Sequence, residues 1–279
     1  MAHATGVEGI MAGRGRIHAL LAVALACTSG CVRPNEAYQF RQAETAAASD
    51  CQMPIERTTV RAEDGAILET WEILLEDVLT DELPGEPPFL EYRAAIERDG
   101  ADLRRPVRDP PVTDSDMAAA IWQDEFFNND LVFDGGVGVV EPISCLDALL
   151  FTRQAARLSQ LKKPTEFVAS VLRREAANGT RLLIVFGAGP DKLVPQGWYG
   201  TDLAGEYLND GWVIWYVIHN HTTQKNQGRL ALGAPVPSTN DVQLNRALAG
   251  QLGVDSVRVT NGFYTFRAST DDMNQFRAR

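Results

Sequence analysis

In the second half of the chain, apolar residues gather into runs of strand length, with helical spacing between them. Thr165-Glu-Phe-Val-Ala-Ser-Val-Leu172 and Arg181-Leu-Leu-Ile-Val-Phe186 are dense in β-branched and aromatic residues. So is Gly211-Trp-Val-Ile-Trp-Tyr-Val-Ile218, and each run predicts a strand. Leu146 to Leu161 instead shows helical periodicity with a basic outer face, and Lys162-Lys-Pro164 stops it. Gly187 to Gly200 reads as loop, Leu203 to Asn209 as a short helix and Asp241 to Leu252 as a longer one. Val257 to Thr260 and Phe263 to Phe266 flank Asn261-Gly262, a hairpin signal.

The first half has weaker patterning. Thr58 to Ala62 and Ala66 to Ile73 predict a hairpin around a type I′ turn at Asp64-Gly65. Pro84 to Pro88 breaks the chain, and Phe89 to Arg98 is spaced as a helix. A loop bearing Pro106, Pro110 and Pro111 follows, then a helix over Asp114 to Phe127 capped by Thr113 or Asp114. Leu131 to Phe133 and Val137 to Val140, around Asp134-Gly-Gly136, predict a second hairpin. Mixed helices and hairpins point to an α/β (α+β) sandwich around a central sheet. The expected organisation is an export signal over 1–31, a tether over 32–57, an acidic region over 58–142 and a main domain over 143–279.

The N-terminus reads as an address. Arg14 and Arg16 precede the apolar run Ile17 to Ala26, which is too short to span a bilayer and is flanked like a secretory signal. Thr28-Ser-Gly30 then leads into Cys31, which resembles a bacterial lipoprotein signal whose cysteine becomes the lipid-carrying first residue. Thr28 stands where that pattern usually has an aliphatic residue. Cys27 is a second candidate, and plain secretion with cleavage nearby is the alternative. The resemblance implies an exported protein of the bacterial envelope, anchored to the membrane by lipid. Beyond Cys31 only Cys51 and Cys145 remain, and an oxidising compartment would let them pair. Neither lies in a CxxC or near the histidines discussed below, so they are not counted as metal ligands.

Charge excludes one class of partner. Residues 36 to 130 carry 23 acidic and 8 basic side chains, a net of −15, whereas residues 131 to 279 carry 13 and 15. The basic footprint of a nucleic-acid-binding protein is missing. His219-Asn-His221 spells the letters of a nuclease motif, but that motif spreads its residues over a separate ββ-helix unit. Gly187-Ala-Gly189 lacks the third glycine of a dinucleotide loop and reads as a turn, as does Gly135-Gly-Val-Gly138. Trp198 and Tyr199, with Trp212 and Trp215, suit either a groove or core packing.

The chemistry is concentrated at the end of the aromatic strand. His219 and His221 are spaced i and i+2, and alternate strand residues share a face. Asp241, in Ser238-Thr-Asn-Asp241, can add a third ligand and leave a fourth tetrahedral position for water, as a catalytic zinc requires. Taken singly, the histidines also suit a core or surface pair, Ser238-x-x-Asp241 a capping box, and Glu166 a structural carboxylate.

Taken together and in order, these elements resemble the JAB1/MPN/Mov34 (JAMM) metallopeptidase family. Its signature is a glutamate near a first strand, then H-x-H at a strand end, then S-x-x-D opening a helix. Glu166 lies 53 positions before His219, and Pro235-Val-Pro237 precedes Ser238. These prolines, the His-Asn-His wording and the Thr-Asn-Gly-Phe-Tyr hairpin are most similar to the bacterial RadC-like branch. The resemblance covers residues 143 to 267. It implies an MPN-like sandwich with an N-terminal α+β extension and a Zn2+ held by His219, His221 and Asp241. It also implies Glu166 as general base and acid, and Ser238 as hydrogen-bond donor to the oxyanion. The implied reaction is hydrolysis of a peptide or isopeptide bond, in the envelope if the protein is exported. The segment from Thr222 to Pro237 is sixteen residues, longer than in the family, and leaves open whether Asp241 reaches the histidines. A non-catalytic MPN-like binding module and a zinc hydrolase of another amide-like bond are the competing readings.

Overall fold

The computed structural model describes residues 51–54, 56–100, 102–106, 115–191, 201–226 and 229–278. The export signal with Cys27 and Cys31, the tether through Asp50, the cap at Thr113 or Asp114, and Trp198 and Tyr199 lie outside these residues. No helix among the described residues is long and apolar enough to cross a membrane.

The Asp64-Gly65 turn forms as its chemistry requires. Both residues have positive φ, 50° and 78°, and they join β1 (Thr58–Glu63) to β2 (Ala66–Leu74). After a short 3-10 turn come α1 (Pro87–Arg98) and α2 (Asp116–Phe133), the latter capped by Ser115. β3 (Val139–Pro142) and α3 (Cys145–Arg157) follow, then the hairpin of β4 (Phe167–Ala176) and β5 (Gly179–Ala188). Next are α4 (Thr201–Asn209), β6 (Val213–Asn220), and the short pair β7 (Gln224–Asn226) and β8 (Arg229–Ala231). α5 (Thr239–Leu252), β9 (Ser256–Thr260) and β10 (Tyr264–Ser269) complete the order before a last 3-10 turn.

Eight strands form one mixed sheet in the order β1-β2-β5-β4-β6-β9-β10-β3. Every neighbouring pair is antiparallel except β6 and β9, which α5 connects as a parallel crossover. Strands of the acidic region and of the main domain thus share one sheet. Alternation assigns the faces. Phe167, Ala169 and Val171 of β4 pack with Leu149 and Phe151 of α3 and Phe89 of α1. Val168 of β4 and Val217 of β6 pack on the opposite face with Ala204 of α4 and Leu248 of α5. Trp212 is buried in this second layer.

Three sequence expectations are corrected. Leu131 to Phe133 is not a strand but the last turn of α2, and the glycines after it close a helix. Gly135, at φ 79°, donates its amide to Val132 O, and Gly136 donates to Leu131 O at 2.8 Å. β3 pairs instead with β10, more than a hundred residues away. The basic face of α3 is not solvated either. Arg153 forms a two-pronged ion pair with Glu69 of β2 at 2.8 and 2.6 Å, and Arg157 donates to Gly65 O. α3 also ends at Arg157, before Leu161.

Cys51 and Cys145 form a disulfide across 94 positions, and both are buried against α1 and α3. A bridge closing so long a loop restricts the unfolded chain strongly. Replacing both cysteines by alanine should cost about 2–5 kcal/mol, read as a lower urea midpoint. An unchanged midpoint would show that the bridge carries no stability.

Candidate metal centre

The centre lies where β6 runs out of the sheet. His219 is the penultimate residue of β6 and presents its ring on the α5 face, the face of Val217. His221 follows the strand, and its amide donates to Thr260 O of β9 at 2.8 Å, which carries the parallel ladder one residue further. The histidine backbone is therefore pinned by the sheet. Its Nδ1 lies 2.7 Å from the carbonyl oxygen of Ala234. A carbonyl can only accept, so Nδ1 donates and the neutral ring carries its lone pair on Nε2, facing the site.

Asp241 arrives from the amino end of α5. Ser238 is the N-cap, its Oγ accepts from the Asp241 amide at 3.2 Å, and its own amide donates to Asp241 Oδ2 at 2.7 Å. That reciprocal pair fixes the carboxylate rotamer. Oδ2 then stands 3.2 Å from His219 Nε2 and 3.1 Å from His221 Nε2, and the two Nε2 atoms are 3.3 Å apart. A tetrahedral zinc with ~2.0–2.1 Å bonds sets its ligands roughly 3.3–3.4 Å apart. The triangle matches that spacing. The three side chains are 15–20% exposed. Together they form a group able to hold a metal ion. Burial pushes the Asp241 carboxyl up, but attraction and hydrogen bonding from His219 and His221 outweigh it and hold the group well below the usual carboxylate range.

The sixteen-residue segment does not displace Asp241. Its middle folds into the β7–β8 pair and its end returns as Gly233-Ala234 against His221. A Cβ on Gly233 would stand 2.6 Å from His221 Cβ, so the segment is packed on the ligand it orients. Glu166 is half-buried immediately before β4. The β4–β6 ladder ends with Val168 opposite His219, two residues beyond Glu166. Asn220, fully buried on the other face of β6, brackets that position. It accepts from the Phe167 amide at 2.7 Å and donates to Thr165 O at 3.2 Å. The main chain on both sides of Glu166 is thus held by the residue between the two histidines.

Sequence reasoning passed over Asn220, Ala234 and Glu125. A buried strand asparagine must find partners, so the alternation that exposes His219 and His221 to one face could have flagged Asn220 on the other. Glu125 of α2 accepts from the Thr239 amide at 2.9 Å and from Thr239 Oγ1 at 3.2 Å. Burial, with the nearby Asp241 charge, holds its carboxyl above the ordinary range, and the Thr239 amide and the attraction of His221 offset only part of that rise. Nothing local in α2 signals that role. The chain matches no family model, no curated protein and no solved structure, so the centre stands on its own geometry.

Proposed function

We propose that this chain is a zinc-dependent amide hydrolase of the JAMM type, acting on peptide or isopeptide bonds in the bacterial envelope. The observation that carries it is the triangle of lone-pair atoms, His219 Nε2, His221 Nε2 and Asp241 Oδ2, at 3.1–3.3 Å from one another. Three acceptors so close repel unless a cation or protons lie between them, and the donor set suits Zn2+. Support for the MPN-like sandwich comes from the order of its parts: Glu166 immediately before a strand, that strand's hairpin partner, a histidine-bearing strand, then a helix started by Ser238.

Zinc held by His219, His221 and Asp241 would supply Lewis acidity, acidifying water and polarising a carbonyl. Glu166, immediately before β4, takes a proton at its carboxylate and returns it to the departing amine. Ser238 Oγ is occupied as an acceptor by the Asp241 amide, which leaves its O–H to donate to the oxyanion. Ala234 O keeps His221 in the tautomer that presents Nε2. The buried Cys51–Cys145 bridge favours an oxidising compartment, in keeping with the lipoprotein-like signal at Cys31.

The test is elemental analysis of the chain beginning at Val32, followed by incubation with envelope peptides and sacculi and detection of new amino groups by mass spectrometry. Stoichiometric zinc with new amines supports the reading. Zinc without cleavage of any amide substrate leaves the centre but removes the peptidase, and no zinc after reconstitution removes both.

A further inference from the structure

We infer that Glu125, from the acidic N-terminal region, is a positioning residue of the metal centre: it fixes the start of α5 and through it the orientation of Asp241. The inference rests on the metal-centre reading above and extends it to a helix outside the motif segment. The first turn of any helix leaves amide donors without intrahelical partners. In α5 the capping box satisfies two donors, at Ser238 and Asp241, and Glu125 satisfies one of the two between them, at Thr239. Thr239 is buried, only 5% exposed, so the Glu125 oxygen replaces a water that has little access.

The route to the metal is one residue long, through Ser238. Glu125 holds the Thr239 amide, and that amide belongs to the peptide group joining Thr239 to Ser238. The Ser238 amide in turn donates to Asp241 Oδ2, the oxygen that faces both histidines. Losing the hold on the Thr239 amide would therefore free the neighbouring Ser238–Asp241 capping pair that sets the ligand oxygen. A negative charge at a helix amino end is also favoured by the helix dipole.

Glu125 is itself held independently of α5's first turn. One turn along α2, Asn128 is fully buried and exchanges two hydrogen bonds with the main chain of Arg277, at 2.9 and 2.8 Å. The Arg277 guanidinium stacks over Phe127 of α2. The same C-terminal segment is gripped from α5, where Arg246 donates to the carbonyls of Met273 and Phe276. α2 and α5 are thus registered against each other through the C-terminus, and Glu125 presents a fixed oxygen to Thr239.

The test compares the parent with Glu125→Ala and Glu125→Gln. Zinc affinity is measured by competition with a chromophoric chelator, and coordination geometry by the visible spectrum after cobalt substitution. Glu125→Ala should weaken zinc by about 10–100-fold, the effect of losing an outer-shell partner, and shift the cobalt bands. Glu125→Gln keeps an acceptor oxygen and should restore both readouts. Parent affinity and an unshifted spectrum in Glu125→Ala would overturn the inference while leaving the centre intact. A parent that binds neither metal would remove the centre, and the inference with it. Should Glu125→Ala not fold, Glu125→Asp, which withdraws the carboxylate by one methylene, carries the comparison: weakened zinc supports the inference and parent affinity overturns it.

Discussion

Asp241→Ala and His221→Ala proteins should carry no zinc under conditions in which the parent is fully loaded. Each substitution removes one of three protein ligands rather than an outer partner, so the loss of affinity should exceed the roughly 10–100-fold cost of an outer-shell change. Asp241 has a second task, which must be separated from the first. Its carboxylate accepts from the Ser238 amide, and losing that cap costs about 1 kcal/mol. Asp241→Asn keeps an acceptor for the amide but loses the charge, so it should hold the helix start and still bind zinc poorly. Elemental analysis and urea titration on the same samples distinguish the two tasks. Zinc retained by Asp241→Ala would mean that the metal sits elsewhere.

The same residue sets a pH dependence in the metal-free protein. Asp241 is held well below the ordinary carboxylate range by the paired histidines. A depressed carboxyl stabilises the fold above its unfolded value, near ~3.9, and loses that contribution as pH falls through the lower folded value. The stability gap between the parent and Asp241→Asn should therefore persist through mildly acid conditions and close below about pH 4. A gap that stayed constant to pH 2 would contradict the pairing.

Much of this centre was legible in the chain because it is built from local rules. Strand alternation sets His219 and His221 on one face, and a capping box sets Ser238 and Asp241 at a helix start, both readable over a few residues. The hairpins at Asp64-Gly65 and Asn261-Gly262 were legible for the same reason: left-handed positions favour glycine and small polar residues. What failed depends on distance. Asp134-Gly-Gly136 is ambiguous between a hairpin turn and a helix stop, and the strand that pairs with β3 lies on β10, too far along the chain to arbitrate. Arg153 and Arg157 look like a solvated face until β2 is known to sit beside them. Glu125 is 114 positions from Thr239, and helical periodicity carries no information about which remote amide it will meet.

Glu166→Gln should leave zinc in place and lower turnover by roughly 10²–10⁴-fold, the usual contribution of a positioned acid–base group. Glutamine matches glutamate in size, so packing before β4 is unchanged, and Glu166 is not among the three converging ligands. Loss of zinc in this variant would instead make Glu166 a ligand and force a different chemistry. Asn220→Ala should give a third pattern. It frees the main chain on both sides of Glu166 while the histidine backbone stays held by β4 and β9. Turnover should therefore fall with zinc retained, as in Glu166→Gln, but stability should fall too. The change leaves the Phe167 amide, inside the sheet, without its acceptor, a cost of about 1–3 kcal/mol. If Asn220→Ala lost stability and kept full turnover per folded molecule, the bracket around Glu166 would be scaffolding alone. If it lost turnover in proportion to Glu166→Gln, and the double variant fell no further, the two residues would act as one unit. The middle residue of His-Asn-His would then serve the base as directly as its neighbours serve the metal.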